Sequence, residues 1–364
     1  MTDQKRYINT ARGIAILLVI LGHSITEDMA AASLPAFVLR IFVYSVHMPV
    51  FFFISGYLFQ IKEQDYFSLP LKKYTVSKFR RLMVPYISFS IINYLILYAA
   101  ALVPGISGIL ESHGYVCGTI ADSLFQILTF QGHLDTHLWF CYVMFLILCI
   151  NRLFIRNNTR ITLIIMLAVY AFWSMWKTGG GDVPYLVSHC MHYLYVFCAG
   201  RLWRRYECEQ ERRGKGIQNQ LASISGLILA AAFTVQIIAE KAQMIPLKSA
   251  LLPIVELSGC VFIIFLASKK IRLLKTDISF HMSEFLEYTG RSDVSFPIYL
   301  LHMPFIVSGS VVVLSRAGLP MPLVVLLSTM IGFSVSLLIR KVLYGSSLLK
   351  ALLFGISPQK EIRG

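Results

Sequence analysis

The chain has 364 residues, of which 56% are hydrophobic and only 14% charged. Soluble domains carry about 25% charged residues, so this composition excludes an ordinary soluble protein and points to a polytopic membrane protein. The net charge of +14 would suggest a nucleic-acid partner in a soluble chain. Here the positive-inside bias of membrane loops explains it more simply, and the placement of the charges tests that explanation.

The first apolar stretch runs from Ile14 to Leu21, between Arg12 and His23. In a helix those two residues lie on nearly one face, about 20° apart after three turns, and roughly 16 Å apart along the axis. A membrane helix would hold Arg12 at one surface and His23 near mid-bilayer, where an ionisable group is a functional candidate. The alternatives are a histidine satisfied by a neighbouring helix or a cleaved secretory signal. His23, Glu27 and Asp28, standing between the apolar core and Ala30-Ala31-Ala32, argue against cleavage, so the segment is expected to be retained.

Further apolar runs recur at 36–60, 84–103, 137–155, 161–177, 185–203, 220–240, 249–267, 294–315 and 321–343. With 13–29 they predict an all-α fold, a polytopic membrane bundle of about ten transmembrane helices, with residues 1–345 as the membrane domain and 346–364 as a cytoplasmic C-terminal tail. Alternate connections carry 28 of the 33 Lys and Arg, and the other set holds only Arg40, Lys177, Lys241, Lys248 and Arg316. That asymmetry predicts a multi-pass protein of the inner or plasma membrane with both termini cytoplasmic, and it makes a nucleic-acid partner unnecessary. Residues 104–136, which hold no Lys or Arg, form a long external segment expected to act as a lid or re-entrant piece. Asn157-Asn158-Thr159 fits a glycosylation sequon on the predicted cytoplasmic side and is discounted.

The second run holds His47 and, further on, Ser55-Gly56, a small surface where helices approach closely. Lys78, Arg80 and Arg81 sit at the cytoplasmic mouth of the third. Such a cluster suits a phosphate-rich ligand, and it equally suits lipid headgroups. His137 and Trp139 open the fourth run, where an interfacial belt would place a Trp in any case. His189 and His192, three apart, have no third or fourth ligand by spacing, so no metal site is expected. Glu256 in the eighth run and His302 in the ninth would give the bundle a polar cavity or structural interhelical hydrogen bonds. The seven cysteines include no C-x-x-C pair and read as apolar packing residues.

Taken in order, these pieces resemble the membrane acyltransferase-3 family. Arg12 to His23 matches its arginine, ten residues, histidine signature. Phe52-Phe53-Ile54-Ser55-Gly56-Tyr57-Leu58 matches its second-helix pattern, and Lys78 to Pro85 its basic stretch. His137-Leu138-Trp139-Phe140 resembles its fourth-span opening. Gly290 with Ser292 or Ser295, then Ile298-Tyr299-Leu300-Leu301-His302, resembles its late motif, although Pro297 interrupts it. The match runs from residue 5 to about 305 and is closest to the short branch that O-acetylates sugars, including the fucose 4-O-acetylase-like group.

The resemblance implies a cytosolic acyl-CoA donor, usually acetyl-CoA, no bound cofactor, and an acceptor hydroxyl on a glycan or glycolipid. It implies donor phosphates at Lys78, Arg80 and Arg81, and catalysis by His23 with Arg12. His23 would act as general base or as acyl carrier. Glu27, one turn further along the same face, is expected to orient it. Ser24, His47, Ser55, Gly56, His137, Trp139, Tyr299 and His302 are the expected cavity and acceptor contacts. The competing readings are a carrier or flippase using the same polar cavity, and a membrane sensor with a degenerate site. The sequence gives no signal for oligomeric state.

Overall fold

Backbone groups in a bilayer have no water to bond, so apolar segments of this length satisfy themselves as helices. The computed structural model describes residues 3–112, 118–130, 136–155, 158–180, 184–213, 219–268 and 277–356, and no strand occurs among the described residues. The helices are α1 Asp3–Ser24, α2 Glu27–Ala32, α3 Leu34–Ile61, α4 Glu63–Ser68, α5 Leu71–Ala101, α6 Ile106–Ser112, α7 Ile120–Thr129, α8 Trp139–Phe154 and α9 Thr159–Thr178. They continue with α10 Tyr185–Arg212, α11 Asn219–Lys241, α12 Ile245–Ser268, α13 Asp277–Thr289, α14 Ser292–Leu301, α15 Phe305–Arg316, α16 Met321–Leu343 and α17 Ser347–Phe354.

Each of the ten predicted spans centres on one of these helices or, for 294–315, on the pair α14 and α15, and 13–29 runs past the end of α1 into α2. Among the described residues, seven helices are long and apolar enough to cross a membrane, and the α14–α15 pair, bent by 55°, makes an eighth. The other two are α8, with only 16 residues, and α10, whose 28 residues end in a charged stretch. Length and composition therefore support seven to eight crossings, fewer than the count of about ten read from the sequence.

Helix α1 is the centre of the bundle. Ile8, Ala11, Ala15, Ile16, Val19 and Ile20, spaced three and four apart, are all buried and face α3, α12, α13 and α16. Small residues set how closely the helices approach. A Cβ on Gly56 would stand 1.9 Å from the Phe197 carbonyl oxygen, and one on Gly200 would stand 2.0 Å from that of Phe53. The reciprocal contact locks α3 against α10, as the Ser55-Gly56 surface predicts. Gly200→Ala should therefore lower unfolding stability by about 3 kcal/mol or more, since backbone must move to relieve the overlap. Gly309→Ala, which meets nothing within 4 Å, is the neutral control. Thermal unfolding of the purified protein in detergent reads both.

The basic end of α10 is held by a buried guanidinium. Arg201 is 0% exposed. It donates to Glu63 Oε1 at 2.5 Å, Asn151 Oδ1 at 3.0 Å, the Ile155 carbonyl at 3.2 Å and Gln60 Oε1 at 3.3 Å, tying α10 to α3, α4 and α8. Arg201→Met takes the nearest cation from the Glu63 carboxylate, leaving it Gln60 and the more distant Arg205 at 3.8 Å, and is expected to cost about 3 kcal/mol. The pair Arg201→Met with Glu63→Leu should be much milder, which chemical unfolding of both variants measures.

The described part of the segment expected to be external holds α6 and α7. Thr119 and Asp122 close a capping box at the start of α7. Tyr86, Tyr94 and Tyr98 of α5 bond Ile127, Gln126 and Ser123 of α7, so α7 lies against α5 along this row of tyrosines. Residues 113–117 and 131–135 of the expected lid, and Asn157 of the sequon, lie outside the described residues. At the other end, α17 packs on α5. Phe354 is buried against Phe89 and Tyr344. Gly355 turns with φ +62°, and a Cβ there would overlap the Arg80 carbonyl.

Candidate active site

Helices α1, α3, α5, α8 and α14 enclose a cavity of about 830 Å³. The end of α3 at Ile61 and Lys62 and the start of α14 at Arg291 mark its basic end. Arg12, Lys62, Lys78, Arg81 and Arg291 line it, with Asp293 as the one carboxylate among the lining residues. Asp293 is already committed, to Arg340 at 2.9 Å and Arg291 at 3.2 Å. Lys78 Nζ sits 3.9 Å above the Tyr66 ring. Arg12 and Arg81 are close enough to repel each other, and among the described residues neither has an ion-pair partner. Two guanidiniums on one cavity, without a counter-ion among the described residues, make a site for an anion.

Away from this end the wall turns apolar and aromatic, through Met48, Phe51, Phe140, Phe296 and Tyr299. Beyond it stand four histidines. His47 precedes the lining residue Met48, His137 lies three before Phe140, and His302 lies three after Tyr299. His23 comes to them along α1, its ring 5.2 Å from that of His302 and 6.0 Å from that of Tyr44. The His302 and His137 rings are 6.1 Å apart. Tyr299 joins the two zones: it lines the cavity and its hydroxyl donates to the His137 carbonyl. His302 follows the last residue of α14, where the span breaks ahead of Pro304. Backbone freed by a break inside a membrane protein is tolerated where protein surrounds it, and His302 is 0% exposed.

The residues expected from sequence separate into three groups. Arg12, Ser55, Lys78, Arg81 and Tyr299 line the cavity, and His23, His47, His137 and His302 do not line it but stand together next to its apolar wall. The rest point elsewhere. Gly56 is spent on the α10 crossing. Trp139 belongs to an aromatic stack with Tyr193 at 5.0 Å, His189 at 4.7 Å and Phe52 at 5.9 Å. Ser24 donates to the Ile20 carbonyl and accepts from Thr329 of α16. Arg80 does not line the cavity, and its backbone lies against Gly355; it precedes Arg81 by one residue, about 100° of helix rotation, and cannot share its direction.

Glu27 requires a correction. Helix α1 ends at Ser24, and Thr26 caps a new helix by accepting from Met29 N. Glu27 is therefore not one turn above His23. It is exposed and bonds Arg40 at 2.9 Å. His192, one of the two histidines weighed for a metal, instead meets Glu256 Oε1 at 2.8 Å. Among the described residues no group of three or more His, Cys, Asp or Glu is placed to hold a metal ion.

The family model described as "Acyltransferase domain" matches residues 5–341, nearly the whole chain. The protein belongs to the membrane acyltransferase-3 family. No curated protein and no solved structure matches the chain. The chain is thus an acyltransferase of a multi-pass membrane family. In this acyltransferase several cavity residues escape the sequence reading: Lys62, Tyr66, Arg291 and Asp293. Lys62 and Arg291 border motifs the sequence does mark, the basic 61–83 segment and Gly290, so adjacency was the available signal. Asp293 likewise lies inside the late motif, next to Ser292, and Tyr66 carries no signal by spacing.

Proposed function

We propose that the protein is an O-acetyltransferase that moves an acetyl group from cytosolic acetyl-CoA to a hydroxyl of a cell-surface or secreted glycan. The observation that carries the reading is one cavity lined by Arg12 and Arg81, which have no ion-pair partner among the described residues, with imidazoles grouped next to its apolar wall. At about 830 Å³ it falls in the size range of small-molecule sites. The donor's phosphates would lie between Arg12, Arg81, Lys78 and Lys62, with both termini and this mouth on the cytoplasmic face of the inner or plasma membrane. The thioester arm would extend along Ser55 and Phe140 toward Tyr299 and His23.

The chemistry balances within the site. His23 takes the proton of the acceptor hydroxyl as its oxygen attacks the thioester carbonyl. The C–S bond breaks, and the imidazolium returns that proton to the departing thiolate. In the variant by way of an acyl-imidazole, His23 carries the acetyl group between donor and acceptor. The test is label transfer: membranes containing the protein, radiolabelled acetyl-CoA and isolated envelope glycan. The expected result is labelled glycan with stoichiometric release of free CoA. Passage of glycolipid or metabolite across the membrane without acetyl-CoA consumption would instead establish the carrier reading.

A further inference from the structure

With Glu27 removed from its neighbourhood, His23 needs another group to set which ring nitrogen carries the proton. His302 Nδ1 lies 2.7 Å from the Tyr299 carbonyl oxygen. A carbonyl only accepts, so Nδ1 carries the proton and Nε2 is left as a bare lone pair. That Nε2 is buried and has no hydrogen-bond partner among the described residues, a costly condition for a polar atom. Among the described histidines the His23 ring is the nearest to that of His302, 5.2 Å between centroids and tilted by 58°, with His137 next at 6.1 Å. His23 itself makes no hydrogen bond to any described residue, so no described partner fixes which way its ring points. His47 has the same polarity, Nδ1 donating to the Val43 carbonyl at 2.6 Å, so this neighbour also leaves Nε2 as an acceptor.

We propose that His302 is the positioning residue for His23: its Nε2 accepts one ring N–H of His23, holding the other His23 nitrogen unprotonated and aimed at the reacting groups. The relay runs from the Tyr299 carbonyl through His302 to His23. It does what a carboxylate does beside a catalytic histidine, fixing tautomer and orientation. When His23 takes the hydroxyl proton, the imidazolium's second N–H already has its acceptor. The break of the span after Leu301 places His302 at this depth. The inference rests on His23 being the reacting group of the acetyl transfer proposed above.

Two substitutions at His302 tell the nitrogens apart. Asn keeps a donor near the Nδ1 position and removes the acceptor at Nε2, while Gln restores an amide oxygen near Nε2. In His302→Asn, kcat for acetyl transfer should fall at least about 30-fold with KM for acetyl-CoA changed by less than about twofold. His302→Gln should recover most of that loss. In parallel, solid-state nitrogen-15 spectra of histidine-labelled protein in bilayers, with the His23 signal assigned from His23→Ala, should show one neutral tautomer in the unsubstituted protein and a mixture in His302→Asn. Wild-type kcat and an unchanged tautomer in His302→Asn would overturn the proposal. So would equal losses in both variants accompanied by reduced thermal stability, the mark of a packing role. The spectra do not depend on turnover. Absence of any acetyl transfer, with the spectra as expected, would defeat the acetyltransferase reading and leave the pairing standing.

Discussion

Replacing His23 by alanine is expected to lower acetyl transfer by about 10²–10⁴-fold, the range that a positioned proton-transfer group supplies. Protein level and thermal stability should stay close to those of the unsubstituted chain. The second half of the expectation follows from the structure: His23 is half-buried and makes no hydrogen bond to a described residue, so truncation strands no partner. The same substitution at His302 would open a void in a fully buried position and leave the Tyr299 carbonyl unmet. Assaying labelled glycan per unit of folded protein keeps chemistry and folding apart. Activity of His23→Ala equal to the unsubstituted protein would remove His23 from the reaction.

Substitution at the basic end should act on the donor alone. Arg12→Ala and Arg81→Ala are each expected to raise KM for acetyl-CoA by about 10- to 150-fold, corresponding to about 1.5–3 kcal/mol for a hydrogen bond to a charged group. KM for the glycan should hardly change. Neither arginine has an ion-pair partner among the described residues, so removing one relieves repulsion with the other and should not destabilise the protein. Lysine at either position keeps the charge and loses the paired donors, so recovery should be partial. Arg80→Ala is the internal control, because Arg80 does not line the cavity. Steady-state kinetics with each substrate varied separately decides this, and equal losses for donor and acceptor would point to folding.

Both expectations depend on a separation along α1 that the sequence already contains. The eleven-residue interval from Arg12 to His23 fixes their distance and common face once the segment is helical, and apolar composition inside a membrane fixes that it is helical. For the same reason the helical class and the positions of the long apolar segments were legible from composition, and Ser55-Gly56 was legible as a close crossing. Glu27 shows where such reasoning stops short. Counting one turn beyond His23 assumed that α1 continues, yet Thr26 followed by Glu27 and Asp28 is a local helix-start signal, and the helix does restart there. The polar group that replaces Glu27 beside His23 comes from a residue about 280 positions away, and no periodicity connects the two.

By itself the sequence determined the elements that depend on local chemistry: apolar helices, an asymmetric distribution of positive charge, and a spacing within one helix. Only the tertiary structure decided which basic residues share a cavity, because neighbouring positions such as Arg80 and Arg81 diverge by rotation about the helix axis and then meet different partners. It also decided that His23, His47, His137 and His302 lie together. That juxtaposition depends on α3 and α14 packing against α1, and on the turn before α8 meeting Tyr299, at the depth where the span breaks after Leu301. Packing between distant segments sets that depth, and packing is a property of pairs of surfaces that no single stretch of chain records.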